Sequence, residues 1–209
     1  MYMPPHFEEK RPEAMFELMR EHPLGTLVTL DSNGLNANHI PFELDPEPAP
    51  FGTLRAHVAR SNSVWREFSS EVDALIVFQG AQAYISPSWY ATKQESGKVV
   101  PTWNYMVVHA SGPLKIIDDP QWLRGLVGRL TERHEKGQAQ PWKVADAPTD
   151  YIDKLLSAIV GIEIPVTRLV GKWKVSQNQP AVNREGIARG LQNAGAMAEA
   201  VRMKGNDPA

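Results

Sequence analysis

Apolar positions recur with two different periods along this chain, and the change falls near residue 119. Before it the helical period is clear in one stretch near the start: Arg11 to Glu21 places Met15, Leu18 and Met19 at i, i+3 and i+4, which predicts an amphipathic helix ended by Pro23. Leu24–Leu30 is apolar and partly β-branched, Asp31-Ser32-Asn33-Gly34 is a turn sequence, and Leu35–Leu44 reads as the return strand of a hairpin. Residues 45–50 are a Pro-rich break. Strands are then predicted over Gly52–Val58, over Ala74–Gln79, and in a short piece from Gly80 to Ile85, with a short helix near Ser63–Phe68. Pro87–Lys98 has no apolar period and reads as a loop. Val99–Ile117 is β-rich and broken at Gly112-Pro113.

At Asp119-Pro120 the period becomes helical. Asp supplies the N-cap and Pro the first helical position, and Trp122, Leu123, Leu126, Val127 and Leu130 form the apolar stripe. A second helix is predicted from Thr149, with Ile152, Leu155, Leu156 and Ile159 on one face. Gly161–Val170 returns to strand. From Asn183 a weaker stripe runs through Ile187, Leu191, Ala194, Ala198 and Val201. Strands first and helices afterwards, without β-α-β alternation, predict an α+β fold on an antiparallel sheet, or on a barrel, which has no free edges.

Composition narrows the chemistry. The chain has 209 residues, 42% apolar, enough for one domain with a real core. It has no Cys, which excludes disulfides, thiolate catalysis and iron–sulfur clusters. No apolar run reaches membrane-span length and no signal-peptide pattern opens the chain, so a soluble, cytoplasmic protein is expected. The net charge of −2 conceals an asymmetry. Residues 1–50 carry three basic side chains against nine acidic, and residues 172–209 carry six against three. A basic end of this kind suits an anionic partner, DNA included, or simply a solvated face.

Four polar or aromatic segments stand where strands end. In Leu54–Asn62, Arg55 and His57 alternate with apolar Leu54, Ala56 and Val58, and Arg60, Ser61 and Asn62 follow at a predicted helix start. Free backbone N–H groups beside a guanidinium there would hold a phosphate; equally, Asn62 could cap the helix and Arg60 be solvated. In Tyr84–Tyr90, Ser86, Ser88 and Trp89 combine hydroxyls with a ring, which suits a flat heteroaromatic ligand or a Pro-kinked turn packed on the core. In Val99–Tyr105, Thr102 and Asn104 share one face and Trp103 and Tyr105 the other. In Gly171–Asn178, Lys172 and Lys174 share a face that Ser176 and Asn178 continue, as an anion site or as a lysine-guarded strand edge. There is no P-loop, no dinucleotide fingerprint, no zinc-protease motif and no nucleophile elbow.

Taken together, the strings HVARSN (57–62), FQGAQAYISPSWY (78–90), VPTWNY (100–105), RLTERHE (129–135), PW (141–142), IVGIEI (159–164) and GKWKVSQN (171–178) resemble the PaiB family of FMN-binding negative transcriptional regulators, in order along nearly the whole chain. That family is similar to the wider FMN-binding split-barrel group of pyridoxamine-phosphate oxidases and flavin reductases. The resemblance implies a six-stranded antiparallel split β-barrel with flanking helices, as a homodimer with FMN at the subunit interface. It implies a split-barrel domain over 1–175 with a basic helical extension over 176–209. It carries over His57, Arg60, Ser61 and Asn62 as phosphate-side residues, the last standing where the wider group often has Lys. It carries over Ser86, Ser88, Trp89, Thr102, Trp103 and Asn104 for the flavin ring, and Lys172, Lys174 and Gln177 as residues that close the site. The function implied is repression of transcription, with DNA as a partner. An FMN-dependent oxidoreductase is the alternative. Haem, with His57, His109 or His134 as axial ligand, is a third reading of the same fold.

Overall fold

A computed structural model describes residues 1–194. In chain order its strands and helices are β1 (Glu8–Glu9), α1 (Pro12–Glu21), β2 (Leu24–Asp31), β3 (Gly34–Pro41), β4 (Glu43–Asp45), β5 (Thr53–Ala59), β6 (Ala74–Ile85), α2 (Lys93–Ser96), β7 (Thr102–Gly112), β8 (Lys115–Ile117), α3 (Pro120–Glu135), α4 (Thr149–Ser157), β9 (Ile159–Pro165), β10 (Arg168–Lys174) and α5 (Ala181–Asn193). One sheet has six strands in the order β1-β10-β7-β6-β2-β3, and a second has four in the order β4-β5-β9-β8. The chain packs as two discontinuous units. The first comprises Met1–Leu18, Gln79–Val108 and the segment from Val170, and the second comprises Met19–Phe78 and His109–Leu169.

In the second unit the predicted hairpin forms with Leu24 opposite Pro41 and Asp31 opposite Gly34, and the Asp31 carboxylate accepts from the Asn33 N–H at 2.7 Å to close the turn. The return strand is shorter than its apolar run suggested. It stops at Pro41, Phe42 turns inward to full burial, and β4 begins a different sheet. β5 and β9 pair along their whole length, from Thr53 opposite Pro165 to Ala59 opposite Ile159. α3 starts as expected, with the Asp119 carboxylate accepting from the N–H groups of Gln121 and Trp122. Its Leu123 packs with Ile152 and Leu156 of α4. The single strand expected over Gly161–Val170 is two, β9 and β10, because the chain turns at Val166 and Thr167, whose N–H groups donate to Gly52 and Ser111 carbonyls.

In the first unit, β6 continues through Gly80 where a break was expected. A Cβ there would come within 2.9 Å of Leu18 Cδ1, so the glycine marks close packing and not an interruption. α1 buries Met15, Phe16 and Leu18 in this unit. The expected loop 87–98 holds a single 3-10 turn and the four-residue α2. α5 buries Ile187 and Leu191 against Ile85 and Tyr90, so the described part of the basic C-terminal segment is packed into a core. Of the rest of its predicted stripe, Ala194 caps the helix and is exposed, and Ala198 and Val201 lie outside the described residues.

Candidate functional site

The first unit gathers polar side chains from two strands and two loops around a cavity of about 220 Å³. β7 contributes Thr102 and Asn104, which alternation places on one face, and β10 contributes Lys174 at its end. Tyr90, Lys98, Ser176, Asn178 and Gln179 complete the polar wall. The Lys174 ammonium donates to Thr102 Oγ1 and, at 2.6 Å, to the Trp103 carbonyl. No carboxylate pairs with it or with Lys98 among the described residues, and no acidic side chain lines the cavity. Burial lowers the Lys174 pKa, and the charge of Lys172 pushes the same way against the opposing pull of Tyr105. A half-buried cation held only by neutral oxygens is short of negative charge.

Ser176 is the least expected member. It is buried and has φ of +65°, a left-handed conformation in which non-glycine residues are uncommon. Its hydroxyl donates to Asn104 Oδ1 at 3.0 Å. Gln177 takes the other role in this turn: its side chain donates to the Trp173 carbonyl and accepts from the Val175 N–H, so it locks the end of β10 and does not line the cavity. Lys172 is buried away from the cavity as well. Its ammonium donates to the Tyr2 carbonyl and lies 5.6 Å and 5.4 Å from the ring centres of Tyr2 and Tyr105.

Tyr90 also lines a neighbouring cavity of about 470 Å³, with Ser88, Trp89, Lys93, Gln94 and Arg189. Trp89 is seated there by α5: a Cβ at Gly190 would fall 2.2 Å from Trp89 Cδ2, so only glycine lets the helix lie against the indole. Ser86 and Ser88 bond to each other at 2.6 Å, and Ser86 Oγ also accepts from the Ser88 N–H. Trp103 stands outside both cavities, about half exposed, with its ring edge-on to Tyr84 at 6.1 Å.

The second unit holds the other expected group. Arg60, Ser61 and Asn62 do follow a strand, but what comes next is a single 3-10 turn, Ser63–Trp65, and not a helix. Asn62 accepts from the Val64 N–H at 3.0 Å and so caps this turn. The Arg60 guanidinium is engaged by the protein itself: it grips both oxygens of Asp118 at 2.9 and 2.6 Å and donates to the carbonyls of Ser157 and Ile159. The hydrogen bonds with Asp118 raise the Arg60 pKa and lower that of Asp118. His57 lies in this unit too, with Nδ1 buried and unpartnered. Of the residues expected to bind, then, the structure brings Thr102, Asn104 and Lys174 together in one cavity and Ser88 and Trp89 in its neighbour. Tyr90, Lys98, Ser176 and Arg189 join them. Ser176 had a sequence signal in the Lys172-Lys174-Ser176 alternation, whereas Arg189 had none beyond its charge.

The donor set fits a phosphorylated flavin. Lys98 and Lys174 without carboxylates, the hydroxyls of Thr102 and Ser176 and the amides of Asn104, Asn178 and Gln179 suit a phosphate and a polyhydroxylated chain, and Tyr90 and Trp89 offer ring faces.

The family described as "Putative FMN-binding domain" matches residues 1–168. The "Protease synthase and sporulation protein PAI 2" of Bacillus subtilis is 31% identical, the alignment covering 92% of this chain and 90% of that one. "Uncharacterized protein AN0679" of Emericella nidulans is 34% identical over 93% and 92%. Among solved structures, the "FAD and Heme binding protein" of Mycobacterium smegmatis superposes with a TM-score of 0.59 at 16% identity, covering 80% of this chain and 73% of that one. The conserved hypothetical protein Rv2991 of Mycobacterium tuberculosis gives 0.60 at 12%, covering 86% and 94%. These structures share the fold, the α+β split barrel with its six-stranded antiparallel sheet. The chain belongs to the FMN-binding domain family in its PaiB-like branch, and FMN is its cofactor.

Proposed function

We propose that the chain is a flavin-binding negative regulator of transcription, a homodimer in which bound FMN sets the affinity for DNA. The observation that carries the flavin half is the carboxylate-free cavity around Lys174. Lys174, Lys98, Thr102, Ser176 and Asn104 would hold the polar end of FMN, with Tyr90 and Trp89 beside its ring system. When bound, FMN supplies a redox-active ring, and the protein contributes position and electrostatics. The regulatory half is supported by similarity to PAI 2 along nearly the full length of both chains.

FMN can act as a signal only if it binds the DNA-competent and DNA-free states with different affinity. The test is gel retardation of DNA from upstream of the protein's own gene, at low salt, with and without FMN. Specific retardation that FMN alters is expected. No specific retardation in either condition overturns the regulatory half, and rapid flavin reduction by NADH or NADPH in its place would establish the oxidoreductase reading.

A further inference from the structure

Lys93, Gln94 and Arg189 have no part in the flavin assignment, yet the first unit brings them to one place. With Ser88, Trp89, Tyr90 and Ala91 they line the cavity of about 470 Å³, within the ~300–1,000 Å³ range of small-molecule sites. The indole is placed by two glycines of α5, one turn apart. A Cβ at Gly186 would fall 2.0 Å from the Trp89 carbonyl oxygen, and one at Gly190 would fall 2.2 Å from Trp89 Cδ2. Glycine is unfavourable inside a helix, so α5 gives up stability to lie against this residue, and the same turn carries Arg189 to the cavity. Both cations lack a carboxylate. Glu185 stands one turn before Arg189 and Glu95 two residues after Lys93. Neither forms an ion pair with them among the described residues, and no acidic side chain lines the cavity.

We infer that this cavity binds a flat aromatic carboxylate, whose ring packs beside Trp89 and whose anionic end bonds to Arg189 and Lys93. The planar guanidinium presents paired N–H donors that match the two oxygens of a carboxylate, and the ammonium adds a second positive charge. The Gln94 amide offers a further donor at the same wall. Trp89 and Tyr90 supply the apolar surface that a ring needs. Tyr90 lines the Lys174 cavity too, so the molecule bound here is a neighbour of the flavin. Only that neighbourhood depends on the flavin assignment; the contacts to Arg189 and Lys93 do not.

Benzoate is the probe. The protein, labelled with nitrogen-15 and saturated with FMN, is titrated with benzoate while the Trp89 indole N–H is followed by NMR. The signal should move with a dissociation constant of roughly 1 mM or tighter. Benzyl alcohol keeps the ring and lacks the charge, and it should bind about tenfold more weakly. Arg189→Gln and Lys93→Gln should weaken benzoate about fivefold and about threefold, the scale of ion pairs made by exposed side chains. Lys93 is exposed on the short α2, so its variant serves if Arg189→Gln does not fold. FMN affinity should stay within about twofold in both, since neither side chain lines the Lys174 cavity and exposed charges are screened. Lys174→Met, by contrast, should lose FMN and keep benzoate. FMN binding that survives Lys174→Met overturns the flavin assignment and leaves the benzoate site standing. Absence of any Trp89 shift at about ten times the expected constant overturns the inference. So do equal affinities for benzoate and benzyl alcohol, or a benzoate affinity that both variants leave unchanged. Benzoate binding that appears only when FMN is removed overturns it as well, since the cavity would then belong to the flavin.

Discussion

Arg60 and Lys174 are both cations placed just after or at the end of a strand, and both stood out in the sequence as anion anchors. Their surroundings differ completely. Arg60 is answered by a carboxylate, in a bidentate pair with Asp118, and by the carbonyls of Ser157 at the end of α4 and Ile159 at the start of β9. Lys174 is answered by a hydroxyl and a carbonyl, with Lys98 sharing its cavity. Charge balance is thus complete inside the protein at Arg60 and incomplete at Lys174. The pKa directions say the same: hydrogen bonding to Asp118 raises the Arg60 value, and burial lowers that of Lys174. A ligand phosphate at Arg60 would have to displace Asp118, whereas at Lys174 it would supply a missing charge. Residue type alone does not mark an anion site; the absence of an internal partner does.

The largest effect should come from Lys174→Met, which keeps the stem and removes the charge. Hydrogen bonds to charged groups are worth ~1.5–3 kcal/mol, so the FMN dissociation constant should rise about 10- to 100-fold, read by quenching of flavin fluorescence. Arg60→Met should change it by less than about threefold, the scale of a screened surface charge. Equal losses in the two variants would erase the contrast.

Ser176 sharpens it. Ser176→Gly relieves the left-handed backbone and deletes the hydroxyl bonded to Asn104. FMN affinity should fall about 3- to 10-fold for the lost hydrogen bond, with no loss in urea stability. Ser176→Val, a β-branched residue in the same conformation, should instead cost ~1–3 kcal/mol of stability. If both variants bind FMN like the parent, the strained turn serves the fold alone.

A pH titration gives a smaller and graded effect. The protonated Lys174 attracts an anion, while burial favours its neutral form. FMN should therefore bind tightly on the acid side and weaken as pH rises through a value below that of an ordinary lysine. Above about pH 7.5 the phosphate is fully ionised, so it adds no slope of its own. Isothermal titration in buffers of different ionisation enthalpy should show proton uptake on binding in this range. Lys174→Met should abolish the Lys174 part of that uptake.

Much of the scaffold was legible because its signals are local. The Asp119-Pro120 helix start, the Asp31–Gly34 turn and the Thr102/Asn104 alternation each depend on a few neighbouring residues. What escaped depends on partners far along the chain. Asp118 is 58 residues from Arg60, and no pattern around HVARSN announces it. β6 runs through Gly80, where Leu18 packs closely, and the Lys172 ammonium bonds to the Tyr2 carbonyl, 170 positions away, outside the cavity that Lys174 lines. Ser176 was visible as an alternating polar position, but its left-handed backbone was not, since serine gives no warning of positive φ.

Asp118→Asn should have the smallest effect and is the sharpest test of the comparison. The substitution keeps the side chain's shape and removes the charge facing Arg60, while the guanidinium keeps its carbonyl acceptors on Ser157 and Ile159. The pair lies at the surface, where ion pairs contribute little, so thermal stability should hardly move. If FMN is held around Lys174, its dissociation constant should stay within about twofold of the parent, a shift of the size expected for a screened distant charge. If the Arg60 corner receives the phosphate after all, an arginine released from its carboxylate should bind FMN more tightly, and the gain should shrink as salt is added. Asp118 would then act as a competitor for the phosphate, and the two cations would have exchanged roles.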